Sequence, residues 1–357
     1  MELMDIFDLD AFSMVTMTAA INKTPFAPQF LGSLGIFTKM PIRTIDNAVA
    51  ITDAGNLVIV PTTPRGAPPI EQKMPVQSVR SFRTPRIAVG DTITAAELQG
   101  ILARSVFTGT NTNVMMADLQ SEMAYRLDGP IGLQVKQETT KERMRLGAIS
   151  GIVLDADGST LYNWPTEFGV SLPAEIALDL NHASPTPGAL NNLIRGLYRS
   201  ILRAAKAGNL PSVKVIALCG DAFFDALVNH PDVITAYTFY NNGAVARLQA
   251  GSPNIEAFSM FPFGGIDWYN YRGTDDTSTI AIASDKAKFI PVGIPGLFQE
   301  VLAPAETFDY INTPGLPVYA MVIPDRDRNQ FVRLETYSYP MYMATRPEVL
   351  FSARQGT

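Results

Sequence analysis

The chain has 357 residues, 46% of them hydrophobic, and a formal net charge of −6. This length and apolar content allow a substantial core, and we expect two lobes because single cores stop growing at about 250–300 residues. The acidic balance argues against a dedicated nucleic-acid binder, and no apolar run approaches the roughly 18 residues of a membrane span. A single cysteine excludes an internal disulfide framework and fits a reducing cytoplasm.

Residues 1–40 predict an extended strap. A short acidic amphipathic turn comes first, and Pro25, Pro28 and the glycines of LGSLGIF follow it. Residues 42–60 then alternate weakly around the turn sequence Asp53-Ala54-Gly55-Asn56, which predicts two strands.

The segment IVPTTPRGAPPIEQKMPVQSVRSFRTPRIAV, residues 59–89, predicts a protruding arm. Its prolines exclude helix and the middle of a sheet. Folded back as a hairpin it would reach roughly 50 Å, about the diameter of a globule of this length. Such backbone has few apolar anchors, so a fixed conformation requires another surface. The alternative is a flexible, disordered loop.

Two helices are predicted after the arm. DTITAAELQGILARS predicts a short helix capped by Asp91 or Thr92. A long helix is predicted from about Thr112 to Gly147, kinked at Gly129-Pro130, and taken alone it is typical of a core helix. Its apolar row is Met115, Leu119, Met123, Leu127 and Ile131, and its charged end holds Glu138, Lys141, Glu142, Arg143 and Arg145.

The stretch GIVLDADGSTLYNW predicts a hairpin that turns at Asp157-Gly158. A calcium loop starting at Asp155 would need Gly at position six and Glu at position twelve. Those positions are Thr160 and Thr166, so we favour the hairpin.

From Leu172 to about Gln299 the chain predicts a second α+β lobe. Helices are expected over Ala189–Lys206 and over Ala222–Asn229 after an Asp221 cap, among β-rich runs such as VKVIALC, IDWYNY and TIAIAS. The tail runs VYAMVIP and FVRLETYSYPMYMAT alternate like half-buried strands, and we expect them to pair in the first lobe.

No motif for catalysis, cofactor binding or metal binding was found, and we predict none of these sites and no enzyme activity. Cys219 with His230 is the one nucleophile-base combination considered, but Cys219 ends the apolar run VKVIALC, where a thiol behaves as a small hydrophobe. His230 is expected near a helix C-terminus. The carboxylate pairs Asp275-Asp276 and Asp325/Asp327 are interpreted as solvated loops.

Six segments occur in a set order along the chain: INKTPFAPQFLGSLGIF, VPTTPRGAPP, TTKERMRLGAISGIVLDADG, LCGDAFFDALVNHPDV, IPVGIPGLFQEVLAPAETFDYINTPGLPVYA and YSYPMYMATRPEVL. Together they resemble the lambda-type major capsid protein E family of tailed bacteriophages. The resemblance spans essentially the whole chain, and its specificity lies in the ordered set.

The resemblance implies an α+β fold, the tailed-phage major capsid protein fold named after the Hong Kong phage. Its parts would be an N-terminal arm (1–40), an extended loop (41–90), a peripheral domain with a long spine helix and hairpin (91–169), an axial domain (170–300), and return strands to the peripheral domain (301–357).

The resemblance also implies a structural function. Identical subunits would assemble through hexamers and pentamers into the icosahedral head of a tailed phage that encloses double-stranded DNA. Implied partners are a scaffolding protein, a portal and a decoration protein, with DNA enclosed without specific binding and no membrane contact. The expected location is the virion capsid, assembled in the host bacterial cytoplasm.

In this setting the arm would extend over a neighbouring subunit and make a heterologous contact. Its basic residues are the predicted inter-subunit contacts: Arg65, Lys73, Arg80, Arg83 and Arg86. Other classes stay open. These are a nanocompartment (encapsulin-like) shell protein that holds cargo enzyme, and a soluble α+β enzyme or ligand-binding protein with one deep pocket.

Overall fold

The computed structural model describes residues 13–23, 29–52, 77–97, 99–100, 112–129, 131–182, 184–206, 213–240, 260–273, 280–328 and 330–356. Within these residues, no helix combines the length and apolar content needed to cross a bilayer. The carboxylate pair Asp275-Asp276 lies outside the described ranges.

The expected extended strap is partly helical. α1 (Met14–Lys23) and the short α2 (Phe30–Ser33) precede β1 (Thr38–Pro41). The strap prediction is wrong over α1 because an apolar row, which includes the buried Ile21, packs into a core cluster.

The long kinked helix is confirmed as two helices, α3 (Thr112–Asp128) and α4 (Leu133–Ser150). The break falls at residues 129–132, where a Cβ on Gly132 would lie 2.5 Å from the Leu127 carbonyl oxygen. Gly151, with φ of 89°, ends α4 in the left-handed conformation that glycine adopts readily.

The predicted hairpin is confirmed as β5 (Ile152–Leu154) and β6 (Thr160–Asn163), which pair antiparallel. Gly158 turns with φ of 85°, and the Asp157 carboxylate accepts hydrogen bonds from the Ser159 amide and hydroxyl. The short helix α5 (Trp164–Phe168) follows directly.

The second lobe is built on a six-stranded sheet in the order β7-β16-β11-β8-β10-β9. Its apolar strands read as buried runs because helices cover the sheet. The strands are β7 (Ile176–Ala177), β8 (Lys214–Cys219), β9 (Met260–Phe263), β10 (Ile266–Asn270), β11 (Lys286–Val292) and β16 (Ser352–Arg354); the helices are α6 (Ala189–Ala204), α7 (Asp221–Val228) and α8 (Pro231–Tyr240).

Two three-stranded sheets join the tail to the first lobe, as the tail pattern predicted. One has the order β13-β14-β4, with β4 (Ile87–Thr94), β13 (Tyr319–Pro324) and β14 (Phe331–Ser338). The other has the order β1-β12-β15, with β12 (Phe298–Leu302) and β15 (Pro340–Ala344). Short 3-10 turns cover Phe308–Tyr310 and Pro347–Val349.

The helix cap predicted at Asp91 or Thr92 is wrong. Asp91 and Thr92 lie inside β4, where they pair with Leu334 and Arg333 of β14, because the strand continues to Thr94. Thr94 starts the helical turn instead: its amide donates to Glu97 Oε2 (3.0 Å) and the Glu97 amide donates to Thr94 Oγ1 (3.4 Å).

The second predicted cap, at Asp221, is displaced by one residue. Gly220 is the N-cap of α7, and Asp221 is the first helical residue. At that position its carboxylate stabilises the helix, because it lies at the positive end of the helix dipole.

Candidate inter-subunit contact site

The base of the predicted arm is an antiparallel ladder. β2 (Asp46–Thr52) pairs with β3 (Gln77–Arg83) in register from Asp46 opposite Arg83 to Thr52 opposite Gln77. Arg65 and Lys73, two of the predicted contact residues, lie outside the described residues. The alternation of side chains in β3 places Phe82 and Arg80 on one face and Arg83 on the other.

Phe82 anchors this ladder to the first lobe. Its side chain is buried and meets the rings of Trp164 (centroids 5.4 Å apart) and Phe168 (6.2 Å) edge-on. Tyr162 stacks on Trp164 at 4.8 Å, and its hydroxyl donates a hydrogen bond to the Arg83 carbonyl oxygen. Burial raises the pKa of Tyr162 to about 12, so the hydroxyl stays protonated and able to donate.

Arg80 has a partner within its own chain. Its guanidinium Nη1 lies 3.7 Å from Glu167 Oε2 and also donates to the Glu167 carbonyl oxygen. Both side chains are nearly half exposed, at 48% and 44%. An ion pair this exposed contributes about 0–1 kcal/mol, so it can be exchanged for another partner at little cost.

Arg83 and Arg86 are both exposed. The Arg86 guanidinium carbon lies 4.8 Å from the centroid of the Tyr337 ring, a cation–π contact. Among the described residues no carboxylate approaches Arg83 within ion-pair distance. The structure therefore brings Arg80, Arg83 and Arg86 to the base of one hairpin and leaves Arg83 the charge most available to another molecule.

The residues considered for catalysis do not form a site. The Cys219 thiol is buried, and burial raises its pKa well above its ordinary value, which disfavours the thiolate. His230 is buried between α7 and α8, where its Nδ1 accepts from the Asp232 amide and burial lowers its pKa. Asp325 caps an exposed turn by accepting from the amides of Asp327 and Arg328, both at 3.2 Å.

Sequence reasoning missed a buried ionic network on α4. The guanidinium of Arg145 contacts Glu138 and lies 3.3 Å from Glu142 Oε2, and all three side chains are at most 8% exposed. The Lys141 ammonium donates to the Pro317 carbonyl oxygen at 3.1 Å. Their spacing of three, four and seven residues puts them on one helix face, and that pattern was the available sign.

The network reaches three other elements. Glu142 Oε1 accepts from the Leu31 amide (2.8 Å) and from the Tyr271 hydroxyl (3.3 Å). Arg145 lies over the Tyr342 ring, and the Tyr342 hydroxyl donates to Glu300 Oε1 at 2.9 Å. α2, β12 and β15 are therefore tied to α4 by charged and polar groups.

Burial sets the direction of two pKa shifts in this network, those of Lys141 and Glu142. It lowers the pKa of Lys141 to about 8, against the opposing pull of Glu138 and Glu300. It also raises the pKa of Glu142, partly offset by the hydrogen bond from Leu31. A cavity of about 280 Å³ adjoins these charges and is lined in part by α1 and α2.

One family of proteins matches nearly the whole chain. The model of the family described as phage major capsid protein E matches residues 13–355. The major capsid protein of Salmonella phage Felix O1 is 22% identical over 369 residues, which cover 96% of each chain. That of Pseudomonas phage KPP10 is 30% identical over 190 residues, which cover 50% of this chain and 52% of that protein's length.

A solved structure shows the same fold. The crystal structure described as a prophage capsid protein of E.coli CFT073 superposes with a TM-score of 0.53 at 12% identity, and covers 96% of this chain and 99% of that one. At this identity the likeness concerns the fold alone.

Proposed function

The chain belongs to the phage major capsid protein E family, and on that premise we propose that its copies assemble through hexamers and pentamers into the icosahedral head of a tailed bacteriophage enclosing double-stranded DNA. It is a structural shell protein. The observation that carries the proposal is the family match over residues 13–355, which takes in nearly every described element of both lobes.

We assign the parts of the fold as the sequence suggested. Residues 1–40 form the N-terminal arm, 41–90 the extended loop, 91–169 the peripheral domain, 170–300 the axial domain and 301–357 the return strands. The six-stranded sheet supports a separate axial lobe, but one of its strands, β16 (Ser352–Arg354), comes from the return segment 301–357, so that segment contributes to both lobes. The β2–β3 ladder supports a loop that leaves the body as a hairpin.

We assign partners on the same basis. They are identical subunits, a scaffolding protein and portal during assembly, and a decoration protein on the finished head. DNA is enclosed without specific binding, assembly takes place in the host bacterial cytoplasm, and the chain performs no catalysis. A shell needs repeated weak contacts in place of a reaction centre, and exposed arginines that each contribute about 0–1 kcal/mol fit that need.

The extended loop is the proposed clamp on a neighbouring subunit, with Arg65, Lys73, Arg80, Arg83 and Arg86 as its contact residues. Phe82 supports this assignment because it fixes the loop's base on the aromatic group of Trp164 and Phe168. A fixed base restricts where a loop can reach, which lowers the entropy cost of the contact.

The test is charge reversal at the base of the loop, with particles counted by electron microscopy. Because Arg80 already pairs with Glu167, Arg83→Glu is the sharper single change, and Arg80→Glu/Arg83→Glu the stronger one. We expect a marked loss of intact shells from both. Arg83→Lys is the matched control, since it keeps the charge and should assemble normally. Intact shells at normal yield from the double variant would contradict the clamp.

A further inference from the structure

α6 presents an exposed row of arginines. Arg195, Arg199 and Arg203 are four residues apart, so they share one helix face, and all three are exposed. Over eight residues the row spans about 12 Å. The opposite face is buried in the core through Leu190, Ile194, Leu197 and Ile201.

These guanidinium groups have no acidic partner in the described part of the chain. Arg199 Nε donates only to the Arg195 carbonyl oxygen, at 3.2 Å. The helix dipole accounts for a cation at Arg203, in the last turn, but not for Arg195 and Arg199, which lie in the middle of the helix. In an acidic chain this row is a local excess of positive charge.

α7 presents the opposite charge. Asp221 and Asp225 are exposed and four residues apart, while Phe223 and Leu227 are buried beneath them. A third exposed carboxylate, that of Asp285, lies just before β11. The preceding residue, Ser284, borders α7, since its carbonyl oxygen accepts a hydrogen bond from the Phe223 amide at 2.8 Å.

The helix α8 connects the two helices that carry the charged faces. α8 packs against both α6 and α7, and Asp232 in its first turn accepts from the Leu190 amide of α6 at 3.2 Å. Within the described residues, no ion pair joins the arginine face to the aspartate face. One copy thus carries two complementary faces that it does not neutralise itself.

We propose that the arginine face of α6 in one copy docks against the aspartate face of α7 in the next copy around a ring. Two different faces that fit each other make a head-to-tail contact, and such a contact closes into a ring when the rotation allows it. Opposite charges steer the correct faces together, and like charges keep two identical faces apart. This inference rests on the proposed shell function and identifies one of its contacts.

The test exchanges the charges. A basic-face variant, Arg195→Glu/Arg199→Glu, makes both faces acidic, and an acidic-face variant, Asp221→Lys/Asp225→Lys, makes both basic. We expect each alone to yield at least tenfold fewer particles than the unchanged chain. The chain with all four changes restores opposite faces and should recover particles. Yields are measured by sedimentation and negative-stain electron microscopy.

A mixture of the two variants provides a readout that needs no complete shell. All-acidic and all-basic copies can alternate, so the mixture should sediment faster than either variant alone at low salt and lose that difference at high salt. The conservative Arg195→Lys/Arg199→Lys keeps the charge and should match the unchanged chain. Circular dichroism and thermal melting check that every variant folds.

Some outcomes would overturn the inference. Normal assembly of either double variant would exclude this pairing. The pairing would also be excluded if neither the chain with all four changes nor the mixture recovered association. A different result would assign the arginine row to nucleic acid instead: the unchanged particles retain DNA, the basic-face variant alone retains less, and the chain with all four changes does not recover that retention. Failure of the unchanged chain to form any shell with its assembly partners would count instead against the shell function.

Discussion

Lys141 carries a buried ammonium whose titration should be visible in the stability of the protein. Its pKa in the folded chain is lowered by burial to about 8, from an ordinary value of 10.5. Between these values the unfolded chain binds more protons than the folded chain, so this group makes the free energy of unfolding rise with pH.

We therefore expect the unchanged chain to gain stability relative to Lys141→Met above pH 8. The gain in unfolding free energy should be up to about 1.4 kcal/mol per pH unit. Urea denaturation at half-unit steps from pH 7 to 9.5 measures it. This window lies below the raised pKa of Tyr271 and Tyr342. A difference that stays flat across the window would show that the amine is not desolvated.

Phe82 is the second residue whose contribution can be isolated. Phe82→Ala removes a buried ring from its edge-on contacts with Trp164 and Phe168, and we expect a loss of about 3–5 kcal/mol. Val79, on the same strand but 67% exposed, is the matched control, and Val79→Ala should change stability by less than about 0.5 kcal/mol. Thermal denaturation compares the two; equal effects would contradict the anchor role.

Glycines in two helices allow a pair of predictions in which the same substitution, glycine to alanine, changes stability in opposite directions. An alanine Cβ at Gly147 of α4 would lie 2.8 Å from the Ile152 carbonyl oxygen and 2.9 Å from Val153 Cα, both backbone atoms of β5. At Gly196 of α6 nothing lies within 4 Å. Alanine favours a helix over glycine by about 1 kcal/mol, so the surroundings decide the sign.

We expect Gly196→Ala to raise the free energy of unfolding by about 1 kcal/mol, and Gly147→Ala to lower it by about 1–3 kcal/mol as α4 is forced away from β5. Chemical denaturation of the two variants side by side gives the comparison. A stabilising Gly147→Ala would mean that the α4–β5 contact is looser than the structure has it.

Sequence pattern predicted the elements whose local chemistry decides their form. The helix break predicted at Gly129-Pro130 and the turn predicted at Asp157-Gly158 depend on local backbone preferences, since proline restricts φ and glycine permits positive φ, and both features are present. The cap at Asp91 failed because pairing with β14, more than 200 residues away, overrode the local preference. Long-range pairing of this kind leaves little local trace.

For the candidate contact site, too, the sequence predicted what depends on local chemistry and missed what depends on distant segments. Prolines and arginines predicted the arm directly, because their effect is local, and residues 53–76, which include the first part of that arm, lie outside the described residues. The own-chain partners of Arg80 and Arg86 come from distant segments, Glu167 and Tyr337, and no spacing in the sequence indicated them. The buried network of α4 was missed for a related reason, since charges are expected to face solvent unless paired.

At the scale of the whole molecule, the last strand holds the second lobe together. β16 lies between β7 and β11 in the six-stranded sheet, and Ala353 pairs with Ile176 on one side and Ala287 on the other. Ala353 is fully buried, so Ala353→Asp places an unpaired carboxylate in the core.

We expect Ala353→Asp to cost more than about 3 kcal/mol and to leave most of the expressed chain insoluble. Arg354→Ala, at the exposed neighbouring position, is the control and should stay soluble. Soluble yield and melting temperature measure both. A soluble Ala353→Asp chain with an unchanged melting temperature would show that β16 is dispensable.

The joining of α1 to β13 has a consequence for the timing of synthesis. Thr18 and Ala320 exchange hydrogen bonds across 302 positions of sequence. A ribosome adding about 5–20 residues per second would take roughly 15–60 s to supply the second partner after the first. A nascent chain therefore cannot complete its first lobe while most of it is still being translated.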